Sequence, residues 1–143
     1  MLYTIHRLEI RRLNLLAQRA KNHGGREVCG LLLNLSGPAL TFFVLRNESP
    51  QAGTFCIGSR AIEGLEAFCL QRGGRIVAAF HSHPISEASP GDRDVANAFY
   101  NSHALIYDVI GKEARVWCKA ESGVREVEAQ VNVDPDLRGY ELA

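Results

Sequence analysis

Two histidines two residues apart, in His81-Ser82-His83-Pro84, are followed by Asp94 eleven positions beyond the second, and together they have the types and spacing of a three-ligand metal site. Residues i and i+2 of a strand share a face, so both imidazoles can reach one ion. Asp94 lies past a Ser/Pro/Gly break and can return to that ion from the first turn of a following helix. Two nitrogens and one oxygen suit zinc, and three protein ligands leave a fourth position open to water. An open position is what separates catalytic from structural zinc, and it points to hydrolysis. A two-His-one-carboxylate iron oxygenase is the competing metal reading, but its histidine is commonly paired with an acid at i+2 rather than with a second histidine. A cupin-like site would need an all-β barrel, which the helices expected here do not suit. The bland reading makes the histidines a structural pair and Asp92 and Asp94 helix N-terminal acids favoured by the macrodipole. Asp92 fits that description, whereas Asp94 has the ligand spacing. His6, His23 and His103 lack such partners and read as surface or capping residues.

Such a site needs a rigid strand beneath it. The run Ile76-Val77-Ala78-Ala79-Phe80 is too apolar for a sheet edge and predicts a central strand over Arg75 to His81. The histidines then emerge at or just past its end, where loops carry chemistry on a fixed support. Ser89, Pro90 and Asp92 follow the N-cap, N1 and N3 pattern of a helix running to about Asn101. Upstream, Leu8 to Asn22 predicts a helix stopped by Gly24-Gly25, and Glu27 to Leu35 a buried strand. A Ser36-Gly37-Pro38 turn leads to a second strand over Ala39 to Leu45. Asn47 to Gly53 reads as a loop, and Thr54 to Ile57 as a short strand. Ser59 is placed to cap a helix that runs through Leu70 and ends at Gly73-Gly74. Three strands follow, over Ala104 to Ile110, Ala114 to Lys119 and Val124 to Val131, with Tyr107 and Trp117 in core or strand-face roles. The expectation is a single α/β domain over residues 1–133, a mixed curved sheet flanked by helices, with a polar tail over residues 134–143.

Composition narrows the function classes. Of 143 residues, 46% are hydrophobic and 22% charged, enough apolar material for one real core. Lys plus Arg and Asp plus Glu balance at 16 each, so no net field draws nucleic acid or an anionic membrane. No stretch approaches the roughly 20 apolar residues of a membrane span, and Met1 to Ile10 has no secretory pattern, so a cytoplasmic location is expected. Cys29, Cys56, Cys69 and Cys118 form no CxxC pair and read as reduced, small core residues.

A Glu ahead of Cys-Gly-Leu-Leu, then His-x-His-Pro, six residues, Ser, two residues and Asp, is the pattern of the JAMM (MPN+) zinc metallopeptidases. The chain resembles that family in its short prokaryotic form across about residues 8 to 130. Glu27 stands in Arg26-Glu27-Val28-Cys29-Gly30-Leu31-Leu32, His81-Ser82-His83-Pro84 matches in full, and Ile85 to Pro90 supply the six spacers before Asp94. The resemblance implies the cytidine-deaminase-like MPN/JAMM fold, a Zn2+ cofactor held by His81, His83 and Asp94, and Glu27 as the catalytic general base. It also implies a substrate class, the Gly-Gly C-terminus of a ubiquitin-like or sulfur-carrier protein, cut at a peptide or isopeptide bond. A non-catalytic, zinc-binding interaction module on the same fold is the alternative. One departure matters: Gly91 stands where the family has Ser, a residue thought to support the developing oxyanion. Losing one such donor costs about 2.7–4 kcal/mol, or 10² to 10³ in rate. Ser89, or a backbone N–H at the helix start beside Gly91, is expected to supply that support instead.

Overall fold

A computed structural model describes residues 3–35, 37 and 39–133. The expected tail over residues 134–143, and two residues of the expected turn, Ser36 and Pro38, lie outside the described residues. The order is β1 (Tyr3–His6), α1 (Arg7–Asn22), β2 (Cys29–Asn34), β3 (Thr41–Leu45), α2 (Ser59–Gln71), β4 (Arg75–His83), α3 (Asp92–Asn97), β5 (His103–Asp108), β6 (Glu113–Ala120), β7 (Gly123–Val127) and β8 (Ala129–Val133). Six strands form a mixed sheet in the order β3-β2-β4-β5-β6-β7. The β4–β5 pair is parallel and the other neighbours antiparallel. This is the α/β domain with a mixed, helix-flanked sheet that the residue pattern predicts.

The apolar run of β4 is buried from Ile76 to Phe80 because the strand is central and covered on both faces. On one face, α1 buries Ile10, Leu13 and Ala17, a single stripe at helical spacing, against Leu32, Phe42, Phe80, Leu105 and Val116. On the other, α2 sets Leu65 and Cys69 against Leu31, Leu33, Ile76 and Ala79. Gly73, at φ 68°, takes the left-handed position that ends α2, and Gly74 donates its N–H back to the Cys69 carbonyl at 2.9 Å.

Gly30 answers a different need. A Cβ there would sit 2.0 Å from the Phe43 carbonyl oxygen and 2.8 Å from the Phe80 ring, between two neighbouring strands. Gly30→Ala is therefore expected to cost about 1–3 kcal/mol in thermal or urea unfolding. An unchanged midpoint would show that β2 shifts without penalty.

Several boundaries differ from expectation for identifiable reasons. The segment from Val124 onward is two strands: β7 stays in the main sheet, and β8 leaves it to pair in parallel with β1. β1 is too short to show a period. Thr54 to Ile57 forms no strand, because Asn47 and Glu48 pin it: Asn47 Oδ1 accepts the Cys56 N–H at 3.1 Å and the Cys56 carbonyl accepts the Glu48 N–H at 2.9 Å. Gly58, not Ser59, is the N-cap of α2, and Ser59 is already helical. Helix α3 is capped by Gly91 rather than Ser89 and ends at Asn97 rather than Asn101; Asn101 and Ser102, at φ 49° and 64°, instead turn the chain into β5. Cys29 and Cys69 are buried as expected, but Cys56 is exposed and Cys118 only partly covered. Among the described residues, no helix is long and apolar enough to cross a membrane.

Candidate metal centre

β4 continues through His83, so both histidines stand on the strand itself, projecting to the α2/α3 side of the sheet. The next segment loops out, and α3 returns with Asp94 at its third position. There the carboxylate accepts the Gly91 N–H at 3.0 Å, as an acid at N3 does for its cap. Asp94 then faces the histidines: His81 Nε2 lies 3.1 Å from Oδ1 and His83 Nε2 2.9 Å from Oδ2. The two Nε2 atoms are 3.0 Å apart, and all three ligand atoms lie within 4.8 Å of one another.

Antiparallel pairing brings Glu27 to the same place. Cys29 pairs with His81, so the β2–β4 register carried two residues further takes Glu27 to His83. Ser82 secures that end of the ladder, its hydroxyl accepting the Val28 N–H and its own N–H donating to the Val28 carbonyl, both at 2.9 Å. Asn47 donates to the Glu27 carbonyl at 3.0 Å. Glu27, His83, Gly91, Asp94 and Ser89 line one cleft of about 800 Å³.

The donor set fits a cation. His83 Nδ1 lies 2.6 Å from the Glu87 carbonyl, which can only accept, so Nδ1 carries the proton and neutral His83 turns a bare Nε2 lone pair inward. That lone pair faces a carboxylate oxygen and a second imidazole, a repulsive arrangement unless a proton or a metal ion lies among them. His81 Nδ1 is buried without a hydrogen-bond partner, and the ring stacks on Phe55 at 4.4 Å between centroids.

Protonation preferences follow from the same geometry. Burial pushes the His81 imidazole down, against the pull of Asp94. Burial also opposes protonation of His83, but hydrogen bonds to Asp94 and to the Glu87 carbonyl outweigh it and hold the group up. For Asp94, burial raises the carboxyl, yet hydrogen bonds to both histidines and to the Gly91 N–H leave it well below the usual carboxylate range. Glu27 behaves in the opposite sense: burial lifts it from 4.5 to about 7, with His83 pulling down and Asp94 pushing up.

A stability signature follows for chelator-treated protein. Folded Glu27 holds its proton to higher pH than unfolded Glu27, so its contribution is full below 4.5 and is lost as pH rises through about 7. Glu27→Gln has no such loss. Its stability relative to wild type is expected to rise by on the order of 3 kcal/mol across that window. Parallel pH profiles in urea unfolding would show that Glu27 ionises normally.

The structure thus brings together His81, His83, Asp94 and Glu27. Ser89 lines the cleft without capping α3, and the Gly91 N–H is already committed to Asp94. Residue spacing missed Ser82, Asn47 and Phe55. Ser82, set between two histidines, carried no signal of its own, and Phe55 stacks on His81 from a segment whose residues suggested only a short strand.

The profile of the prokaryotic homologs of the JAB domain matches residues 11–120. No curated protein sequence matches the chain. The fold is similar to the solution structure of a protein from Desulfitobacterium hafniense, with TM-score 0.75 and 21% identity, covering 99% of this chain and 100% of that one. It is also similar to the crystal structure of a JAB1/MPN domain protein from Archaeoglobus fulgidus (0.52, 19%, 90% and 97%) and to the solution structure of a Salinibacter ruber protein (0.59, 16%, 94% and 93%). At these identities the likeness concerns the fold.

Proposed function

The chain belongs to the family of prokaryotic homologs of the JAB domain, and from that premise we propose that it is a zinc-dependent metallopeptidase or isopeptidase. What carries the reading is the convergence of His81, His83 and Asp94 on one point beside a buried Glu27 whose carboxyl sits near neutrality. His81 and His83 would hold zinc from a central strand, with Asp94 as the third ligand. Bound there, the ion would supply Lewis-acid polarisation of the scissile carbonyl and a more acidic water. Glu27 would take the proton of the attacking water and return it to the leaving nitrogen, a task suited to a group near the working pH. A nearby dication favours its ionised, proton-accepting form.

Gly91 sets the expected pace. It has no hydroxyl, and its N–H serves Asp94, so an oxyanion would find no donor at that position. This supports a slow enzyme rather than a dead one, since Gly91 is not a ligand. The substrate class we propose is the Gly-Gly C-terminus of a ubiquitin-like or sulfur-carrier protein. Without side chains, two glycines let the backbone lie close to the ligands in a cleft rimmed by Ile85 and Ile110. A cytoplasmic setting, in which an exposed thiol such as Cys56 stays reduced, fits that role.

The test is hydrolysis by zinc-loaded protein of peptides and isopeptides joined through a Gly-Gly terminus, read by product mass. Full zinc occupancy without cleavage would favour the second reading, a zinc-binding interaction module, for which Gly91 is the supporting observation.

A further inference from the structure

We infer that Trp117, on a strand that contributes nothing to the ligand set, is a positioning residue for the metal centre; the inference rests on His81, His83 and Asp94 being its ligands. The segment joining His83 to Asp94 is loop and a single short helix, and loops of this kind do not hold ligands in place unaided. β6 supplies the missing support. Its residues alternate, with Val116 buried in the α1-side core while Trp117 and Lys119 face the other way, towards this segment. The Trp117 indole N–H donates to the Ala88 carbonyl at 2.8 Å. Two residues along the same face, Lys119 Nζ donates to the Val95 carbonyl at 2.5 Å. One strand therefore grips the chain on both sides of Gly91, at Ala88 within the segment and at Val95 just after Asp94.

The first grip bears directly on a ligand. Ala88 follows Glu87, whose carbonyl accepts the His83 Nδ1–H and so determines which His83 nitrogen is left to face the ion. Holding the Ala88 carbonyl fixes the neighbouring peptide and with it the acceptor that His83 needs. Ala88 is buried although the residues before it, Ile85 to Glu87, are exposed, as expected of a loop drawn down at one point. Outer partners that orient metal-ligating histidines are typically worth about 10–100-fold in metal affinity.

Trp117→Phe keeps an aromatic ring on β6 and removes the N–H. Zinc affinity, measured by competition with a chromophoric chelator, is expected to fall by up to about 10-fold, the low end of the range for direct outer partners because Trp117 acts through the Ala88 peptide, while metal-free protein melts only slightly lower. A residue that merely filled space would show the reverse pattern, with lower metal-free stability and undiminished zinc affinity. Should Trp117→Phe fail to fold, an isosteric tryptophan analogue with sulfur in place of the indole N–H removes the donor at constant shape. Equal zinc affinity in wild type and either variant overturns the inference. Failure of wild type itself to bind zinc overturns the proposed function instead, so the two outcomes are distinct.

Discussion

Glu27→Gln is expected to retain one zinc per chain and to lose cleavage of Gly-Gly-linked substrates by about 10² to 10⁴-fold, the usual contribution of a positioned general base. Three features lead there. Glu27 shares the cleft with the ligands but not their point of convergence, so the amide should leave the metal undisturbed. Burial holds its carboxyl near 7, which lets it accept a proton and release it again in one catalytic cycle. The amide is nearly isosteric yet has no basic oxygen to give, so shape and proton transfer are separated. The measurement is single-turnover cleavage beside zinc content of the same preparations. Cleavage at wild-type rate in zinc-replete Glu27→Gln would remove Glu27 from the chemistry.

The second large effect is on the metal itself. Purified wild type is expected to hold about one zinc per chain, and His83→Ala to hold none at micromolar free zinc. Losing a ligand should exceed the roughly 100-fold that outer partners typically contribute. His83 also carries the connection to the Glu87 carbonyl, so the alanine variant releases the loop as well as the ion. Because zinc would bind the folded chain, the wild-type melting temperature should rise on adding the metal, by about 2.7 kcal/mol of stability at a hundredfold excess over Kd. The His83→Ala curve should not move. Elemental analysis paired with thermal melts reads both, and wild type that stays metal-free after refolding with excess zinc would exclude the metal centre.

Much of this was legible in the residues, and what escaped shares a physical character. Central β4 could be read from its apolar run, and α2 from its spacing and the Gly73-Gly74 stop, because each signal is local. Glu27 was recognisable only by family likeness; its approach to His83 depends on β2–β4 register, which no spacing between residues 27 and 83 encodes. The start of α3 was misjudged because Ser89-Pro90 is a good local cap, while the Asp94 carboxylate, drawn to the histidines, fixes Gly91 as the cap. The α1 face was equally ambiguous: Leu8 and Leu15 look like core but are 63% and 67% exposed, and Ile10, Leu13 and Ala17 carry the stripe. β8 was hidden because leaving one sheet for another changes the partner, not the residue pattern.

The pairing of β1 with β8 bears on how the chain assembles. Tyr3 pairs with Ala129, so this clasp is the longest-range strand contact described, and contacts of that kind are closed late. His81 and His83 on β4, Asp94 on α3 and Glu27 just ahead of β2 are all synthesised well before β8. During vectorial synthesis the ligand cluster is therefore complete in sequence while part of the cover beside α1, which includes Ala129 and Val131, is still missing. The strand made after the ligand cluster therefore completes the cover beside α1, on the face of the sheet opposite His81, His83 and Asp94.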